Sequence, residues 1–245
     1  MHTMADNIAY KRTIIKEHVS SKHLDQQRPI RIYLPPGYDE RISYPVVYCQ
    51  DGEQFFNFGR IATAATSLIL EDNIQPFLIV GVDVDTRTRT QEYSPDGELF
   101  PYYCSFFSEE LIPFVEARTS ARREADARIV AGDSLGGTVS LHLALLYPEL
   151  YGQIISFSGA FFPATQQWIR REASLSNLDL YMLVGLQETE VATERGSYDF
   201  LAHNRLTYQL LMEKQASVAY HEEEGTHIWG FWQRYMTQAL RHFLA

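Results

Sequence analysis

Cysteine is scarce: only Cys49 and Cys104 occur in 245 residues. Neither belongs to a Cys-x-x-Cys pair or lies at zinc-ligand spacing to a histidine, which excludes a disulfide scaffold and a structural zinc site. Positive charge is also in deficit. Twenty-one Lys plus Arg stand against 31 Asp plus Glu, a net charge of −10. Such a surface repels phosphate backbones and anionic bilayers, because both are held by cationic contacts, so neither nucleic acid nor a membrane is an expected partner. No run of 18 apolar residues appears, and Met1-His2-Thr3-Met4-Ala5-Asp6-Asn7 lacks the cationic start and apolar stretch of a secretory leader. The expectation is a cytoplasmic enzyme or binding protein. Repeats, low-complexity tracts and Ser/Gly-rich linkers are missing too, and the chain reads as one domain over residues 1–245.

What is present is an alternation of short apolar runs with longer segments of helical period. Strands are expected at Ile30 to Leu34, Val46 to Gln50, Phe77 to Asp83, Arg128 to Ala131, Gln153 to Phe157, Leu178 to Val184 and Val218 to Glu222. Their near-continuous apolar character suits strands covered on both faces. Helices are expected at about Phe55 to Leu70, Cys104 to Arg118, Leu135 to Tyr147, Ala164 to Arg171, Phe200 to Gln215 and Ile228 to Leu244. From Val46 onward, strand and helix alternate. Right-handed crossovers then give an α/β fold, a three-layer α/β/α sandwich around a mostly parallel sheet.

The sharpest local feature is Gly132-Asp133-Ser134-Leu135-Gly136, set between the apolar run ending at Ala131 and an amphipathic helix. A Gly-x-Ser-x-Gly match alone arises by chance roughly once in ten chains of this length. The strand before it and the helix after it make it far more specific. A serine pinned in such a turn projects its hydroxyl above the sheet, and small residues two positions either side avoid clashes. The helix start also aims free N–H groups and its positive dipole end at the site, which favours negative charge on a bound carbonyl oxygen. The competing reading is a Gly-rich turn with a serine cap.

If Ser134 is a nucleophile, an acid and then a histidine should follow on strand-end loops. His203 and His242 fall in helical patterns and His221 in the last strand run. His227 alone lies in a loop, Glu224-Gly225-Thr226-His227-Ile228. The acid should follow Leu178 to Val184, where Gly185-Leu186-Gln187-Glu188 places a carboxylate; Glu188 is the first choice, with Glu190 and Glu194 as alternatives in the same loop. Its task is to fix the histidine tautomer and stabilise the imidazolium. Oxyanion donors are expected from the backbone N–H of Leu135 and of Glu53, or of Gly52, in the loop after Val46 to Gln50. The side chains of Asp51 and Glu53 are expected to cap that turn and helix. Such a mechanism needs no metal or organic cofactor, only a small-molecule ester.

Arg31-Ile32-Tyr33-Leu34-Pro35-Pro36-Gly37-Tyr38, then Tyr44-Pro45-Val46-Val47-Tyr48, Asp51-Gly52, the Gly-x-Ser-x-Gly-Gly and the final Gly225-Thr226-His227-Ile228-Trp229 carry a resemblance. Together they resemble the esterase family that contains S-formylglutathione hydrolase (esterase D), enterochelin esterases and mycolyltransferases, over about Ile14 to Leu244. The resemblance implies an α/β-hydrolase fold without a separate cap domain and ester hydrolysis by Ser134, Glu188 and His227. Arg89, Glu92 and Tyr93 resemble a further family stretch with a structural or pocket-edge role. Asp133 departs from the family, where His or Gln is common; a negative charge there disfavours anionic substrates or raises the histidine pKa. The extra N-terminal domain of the large enterochelin esterases is not expected within these 245 residues.

Phe161, Phe162 and Trp168 suit an aromatic-lined pocket for an aryl or hydrophobic acyl ester, or else the core of the flanking helix. Phe55, Phe56, Phe58, Trp229, Phe231 and Trp232 carry the same two readings. Glu222-Glu223-Glu224 reads as a solvated strand end. An acyltransferase with the same triad and a non-catalytic module on the same fold are the alternatives, and the chain can be a monomer or a homodimer.

Overall fold

The computed structural model describes residues 11–245; the Met1 to Asn7 stretch discussed above lies outside them. In chain order the elements are β1 (Thr13–Ser21), β2 (Gln26–Leu34), β3 (Val46–Cys49), α1 (Gly52–Asn57), α2 (Ile61–Glu71), β4 (Leu78–Val82) and α3 (Arg89–Tyr93). There follow α4 (Phe100–Ser105), a π-helical turn (Phe106–Leu111), α5 (Ile112–Glu116), β5 (Arg128–Asp133), α6 (Leu135–Leu146), β6 (Gln153–Phe157) and α7 (Pro163–Arg171). The chain closes with β7 (Asp179–Gly185), the hairpin β8 (Val191–Thr193) and β9 (Gly196–Tyr198), α8 (Phe200–Glu213), β10 (Ser217–Glu223) and α9 (Trp229–Leu244).

Eight strands form one sheet in the order β1-β2-β4-β3-β5-β6-β7-β10. β1 with β2 and β2 with β4 are antiparallel; every other pair is parallel. The parallel strands are apolar on both faces because each face is covered by helices. Val46, Tyr48, Leu78, Val80, Val130, Ile154, Leu180 and Met182 point into one core with Phe106, Phe107, Val139 and Leu143. The intervening Val47, Cys49, Ile79, Ile129, Ile155 and Leu183 point into the other, with Phe55, Leu68, Phe231 and Leu240. That is the three-layer α/β-hydrolase arrangement. Both cysteines are buried and unpaired, and burial pushes the Cys104 thiol up to about 12.

Three expectations need correction. The helix expected over Phe55 to Leu70 is two helices, because Arg60 takes a left-handed conformation (φ 53°) between them. The helix expected from Cys104 begins earlier, at Phe100, and passes through a π turn before Ile112. β1 and the β8–β9 hairpin also lie outside the expected strands. β1 is an edge strand whose first six residues are all at least partly exposed, so it carries little of the apolar run that marks a central strand. Among the described residues no helix is long and apolar enough to cross a membrane.

Candidate active site

Strand order reverses around β3, with β4 on one side and β5 on the other. In open α/β sheets that switch point, at the carboxyl ends of the strands, is where ligands bind. The loops leaving β3, β5, β6, β7 and β10 meet there around a cavity of about 530 Å³, whose lining includes Ser134, Leu135 and His227.

Ser134 follows β5 directly, in a strained backbone conformation (φ 52°, ψ −121°), and α6 begins at the next residue. Its N–H donates to the Phe157 carbonyl at 2.9 Å, and its carbonyl accepts from Ala160 N–H at 2.9 Å, so β6 and its loop hold the turn. The flanking glycines are required by contact: a Cβ on Gly132 would lie 2.1 Å from the Gly136 carbonyl carbon.

Glu188 is fully buried. Its Oε2 accepts from His227 Nδ1 at 2.7 Å, while Oε1 accepts from Gly185 N–H at 2.8 Å and from Ser158 Oγ at 2.6 Å. Backbone bonds knit the acid loop to the base loop: Leu186 N–H donates to the Glu223 carbonyl (2.8 Å) and Gln187 N–H to that of Gly225 (3.1 Å). The two loops touch so closely that a Cβ on Gly185 would lie 2.3 Å from the Gly225 carbonyl oxygen. His227 packs on Phe200, with ring centroids 4.4 Å apart. With Nδ1 bonded to the carboxylate, the tautomer that carries its proton there leaves Nε2 as a base. Glu190 and Glu194 are exposed, and Glu194 meets Thr90 Oγ1 at 3.3 Å on the far rim.

The oxyanion region differs from expectation in one respect. Asp51 does not cap α1. Its buried carboxylate instead takes both forks of Arg89, at 2.7 and 2.8 Å, because a buried charge needs a charged partner more than a helix end needs a cap. The Glu53 side chain does not cap either; it reaches Arg31 at 3.2 Å, so only its backbone is available to the site. As the first two residues of α1, Gly52 and Glu53 hold amides that the helix cannot pair internally. Leu135 lines the cavity and Glu53 does not.

The family resemblance implied a structural or pocket-edge role for Arg89; its guanidinium lines the cavity 3.3 Å from the Asp133 carbonyl, one residue from the serine. Glu92 is buried against Arg28 at 2.8 Å, and the Tyr93 hydroxyl accepts the Asp51 N–H at 3.3 Å. Asp133 is buried, with Oδ1 unpartnered among the described residues and Oδ2 4.0 Å from Arg89; burial and the nearby Asp51 raise it to about 7 against the pull of Arg89. Ser158, Gln54 and Thr86 were missed. Of these only Ser158 had a sequence signal, its position just past a strand end.

The aromatics divide. Phe162, Trp229 and Trp232 line the cavity, whereas Phe161, Phe55 and Phe231 are core, Trp168 packs on His142, and Phe58 is exposed. Glu222 is paired with Arg205, Glu223 with Tyr235 and Glu224 with Gln187.

The family described as "Putative esterase" matches residues 21–243. The chain belongs to that family and is an esterase. It is 33% identical over 234 residues to the uncharacterized protein YjcH of Bacillus subtilis (strain 168), across 95% of this chain and 98% of that one. It is 25% identical over 203 residues to the iron(III) enterobactin esterase of Escherichia coli (strain K12), across 80% of this chain and 48% of that one. The esterase thus spans about half the length of the two Escherichia coli enterobactin esterases it matches. Among solved structures a ferulic acid esterase superposes with a TM-score of 0.81 at 15% identity, over 96% of this chain and 98% of the other. At that identity the likeness bears on the fold.

Proposed function

We propose that the esterase cleaves carboxylic esters through an acyl-enzyme on Ser134, with His227 as base and acid and Glu188 as the residue that orients it. The observation that carries this reading is the 2.7 Å bond from His227 Nδ1 to the buried Glu188, at a cavity that also contains the strained Ser134. His227 Nε2 takes the Ser134 proton as Oγ bonds to the ester carbon. The tetrahedral oxyanion is met by the amide of Leu135 and by the Arg89 cation, which Asp51 holds at the cavity wall; the amide of Glu53, one residue before the cavity-lining Gln54, is the proposed second donor. Collapse breaks the bond to the alcohol oxygen, which receives the proton from His227; water repeats the cycle and releases the acid.

The cavity wall has two characters. Phe162, Phe200, Trp229 and Trp232 form an aromatic side, and Thr86, Thr90, Glu194 and Arg195 a polar one. This favours an aryl or hydrophobic acyl ester that carries polar substituents. The name of one similar protein, an iron(III) enterobactin esterase, agrees with an ester of that kind.

The test is a hydrolysis screen over p-nitrophenyl esters of increasing chain length, hydroxylated aryl esters, S-formylglutathione and siderophore lactones. Aryl esters are expected to give the highest kcat/KM, and Glu188→Gln is expected to lose about 10²- to 10⁴-fold in kcat while Glu190→Ala loses none. Equal losses in the two variants would overturn the acid assignment, and a preference for short aliphatic esters the substrate class.

A further inference from the structure

Ser158 stands one residue beyond β6, wholly buried, with φ 47° in the left-handed region that a serine seldom occupies. Residues held in such conformations cluster at functional sites. Its N–H is fixed to the Leu183 carbonyl of β7 at 2.6 Å. Its hydroxyl lies 2.6 Å from Glu188 Oε1 and 2.8 Å from Trp232 Nε1. An indole N–H can only donate and an ionised carboxylate can only accept. The hydroxyl therefore accepts from Trp232, and its single proton goes to Glu188. The same indole stands edge-on to His227, with centroids 5.0 Å apart and planes at 87°. Trp232, Ser158, Glu188 and His227 thus form a closed ring of contacts in which each hydrogen-bond direction is determined.

We propose that Ser158, aligned by Trp232, is a positioning residue of this esterase that holds the Glu188 carboxylate in the orientation His227 requires. The inference rests on the Ser134, Glu188, His227 reading above. Ser158 has no surface on the cavity, so it acts on the reaction only through Glu188. Without its hydroxyl, Oε1 keeps only the Gly185 N–H as a donor among the described residues. The carboxylate is then free to turn, and its less dispersed charge holds the imidazolium proton more tightly.

The experiment compares Ser158→Ala, Trp232→Phe and Ser134→Ala with the parent enzyme on a p-nitrophenyl ester from pH 5 to 9. Circular dichroism and thermal melting check the fold of each. Ser158→Ala is expected to lose about tenfold or more in kcat, the size set by a hydrogen bond to a charged group, with KM nearly unchanged. The acid limb of its kcat/KM profile is expected to move to higher pH. Trp232→Phe keeps the aromatic contact and loses the N–H, so its limb moves the same way by less. A folded Ser158→Ala with the parent kcat and the parent limb overturns the proposal. If that variant does not fold, an unmoved limb in Trp232→Phe does so. Ser134→Ala separates the two readings: if it keeps activity the triad itself is wrong, and if it is inactive while Ser158→Ala is unaffected only the positioning role fails.

Discussion

Asp133→Asn tests the electrostatics directly beneath the candidate nucleophile. Arg89 already gives both forks to Asp51, so Asp133 is a second buried carboxylate sharing one cation, with Oδ1 unpartnered among the described residues. Burial, and then repulsion from Asp51, raise it from the ordinary 3.8 to about 7. The native state therefore holds a proton that the unfolded chain releases near pH 4. Between those values the native state binds more protons, so stability falls as pH rises, and the loss is complete above about pH 8. At about 1.4 kcal/mol per pH unit the ceiling on this loss is roughly 4 kcal/mol. Asparagine has the same shape and no such titration. Urea denaturation of both proteins at several values from pH 4 to 8.5 should show the stability difference moving in favour of Asp133→Asn with rising pH, then levelling off. A difference that is constant across this range would refute the argument.

Other outcomes follow from contacts already described. Gly132→Ala should lose activity and cost several kcal/mol, since its Cβ would lie 2.1 Å from the Gly136 carbonyl carbon; an active variant of parent stability in a melting experiment would contradict the packing of the turn. Arg28→Met should destabilise the fold by about 3–5 kcal/mol in chemical denaturation, because it leaves the buried Glu92 without its 2.8 Å partner. His142 is buried against Phe100 and Trp168, and burial lowers its pKa to about 3. The unfolded chain therefore takes up a proton there as pH falls below 6.5, and stability drops between pH 6.5 and 3. His142→Gln should flatten that part of a stability profile, and an unchanged slope would count against it.

Much of this was legible in the sequence, for identifiable reasons. β5, the turn at Ser134 and α6 are coded by contiguous residues, and the parallel strands from Val46 onward are long enough in apolar character to be read without their partners. The order serine, acid, histidine is a property of the topology, so Glu188 and His227 could be sought at strand ends. What escaped depends on residues far apart in the chain. The Asp51 to Arg89 pair spans 38 positions and the Ser158 to Trp232 bond 74, and no local pattern encodes either. The break before α2 falls at Gly59 and a left-handed Arg60; the glycine marks it, but the apolar period running from Phe55 to Leu70 reads through it. The β8–β9 hairpin is short and mostly exposed, and lacks the apolar run by which the central strands were found.

Whether Ser134 is the covalent nucleophile is decided by treating the esterase with a fluorophosphonate and locating the adduct by peptide mass spectrometry. A single stoichiometric adduct on Ser134 is expected, with loss of esterase activity in step with labelling and no labelling of Ser134→Ala. A folded, active protein that never labels, or an adduct on another residue that tracks the loss of activity, would contradict it.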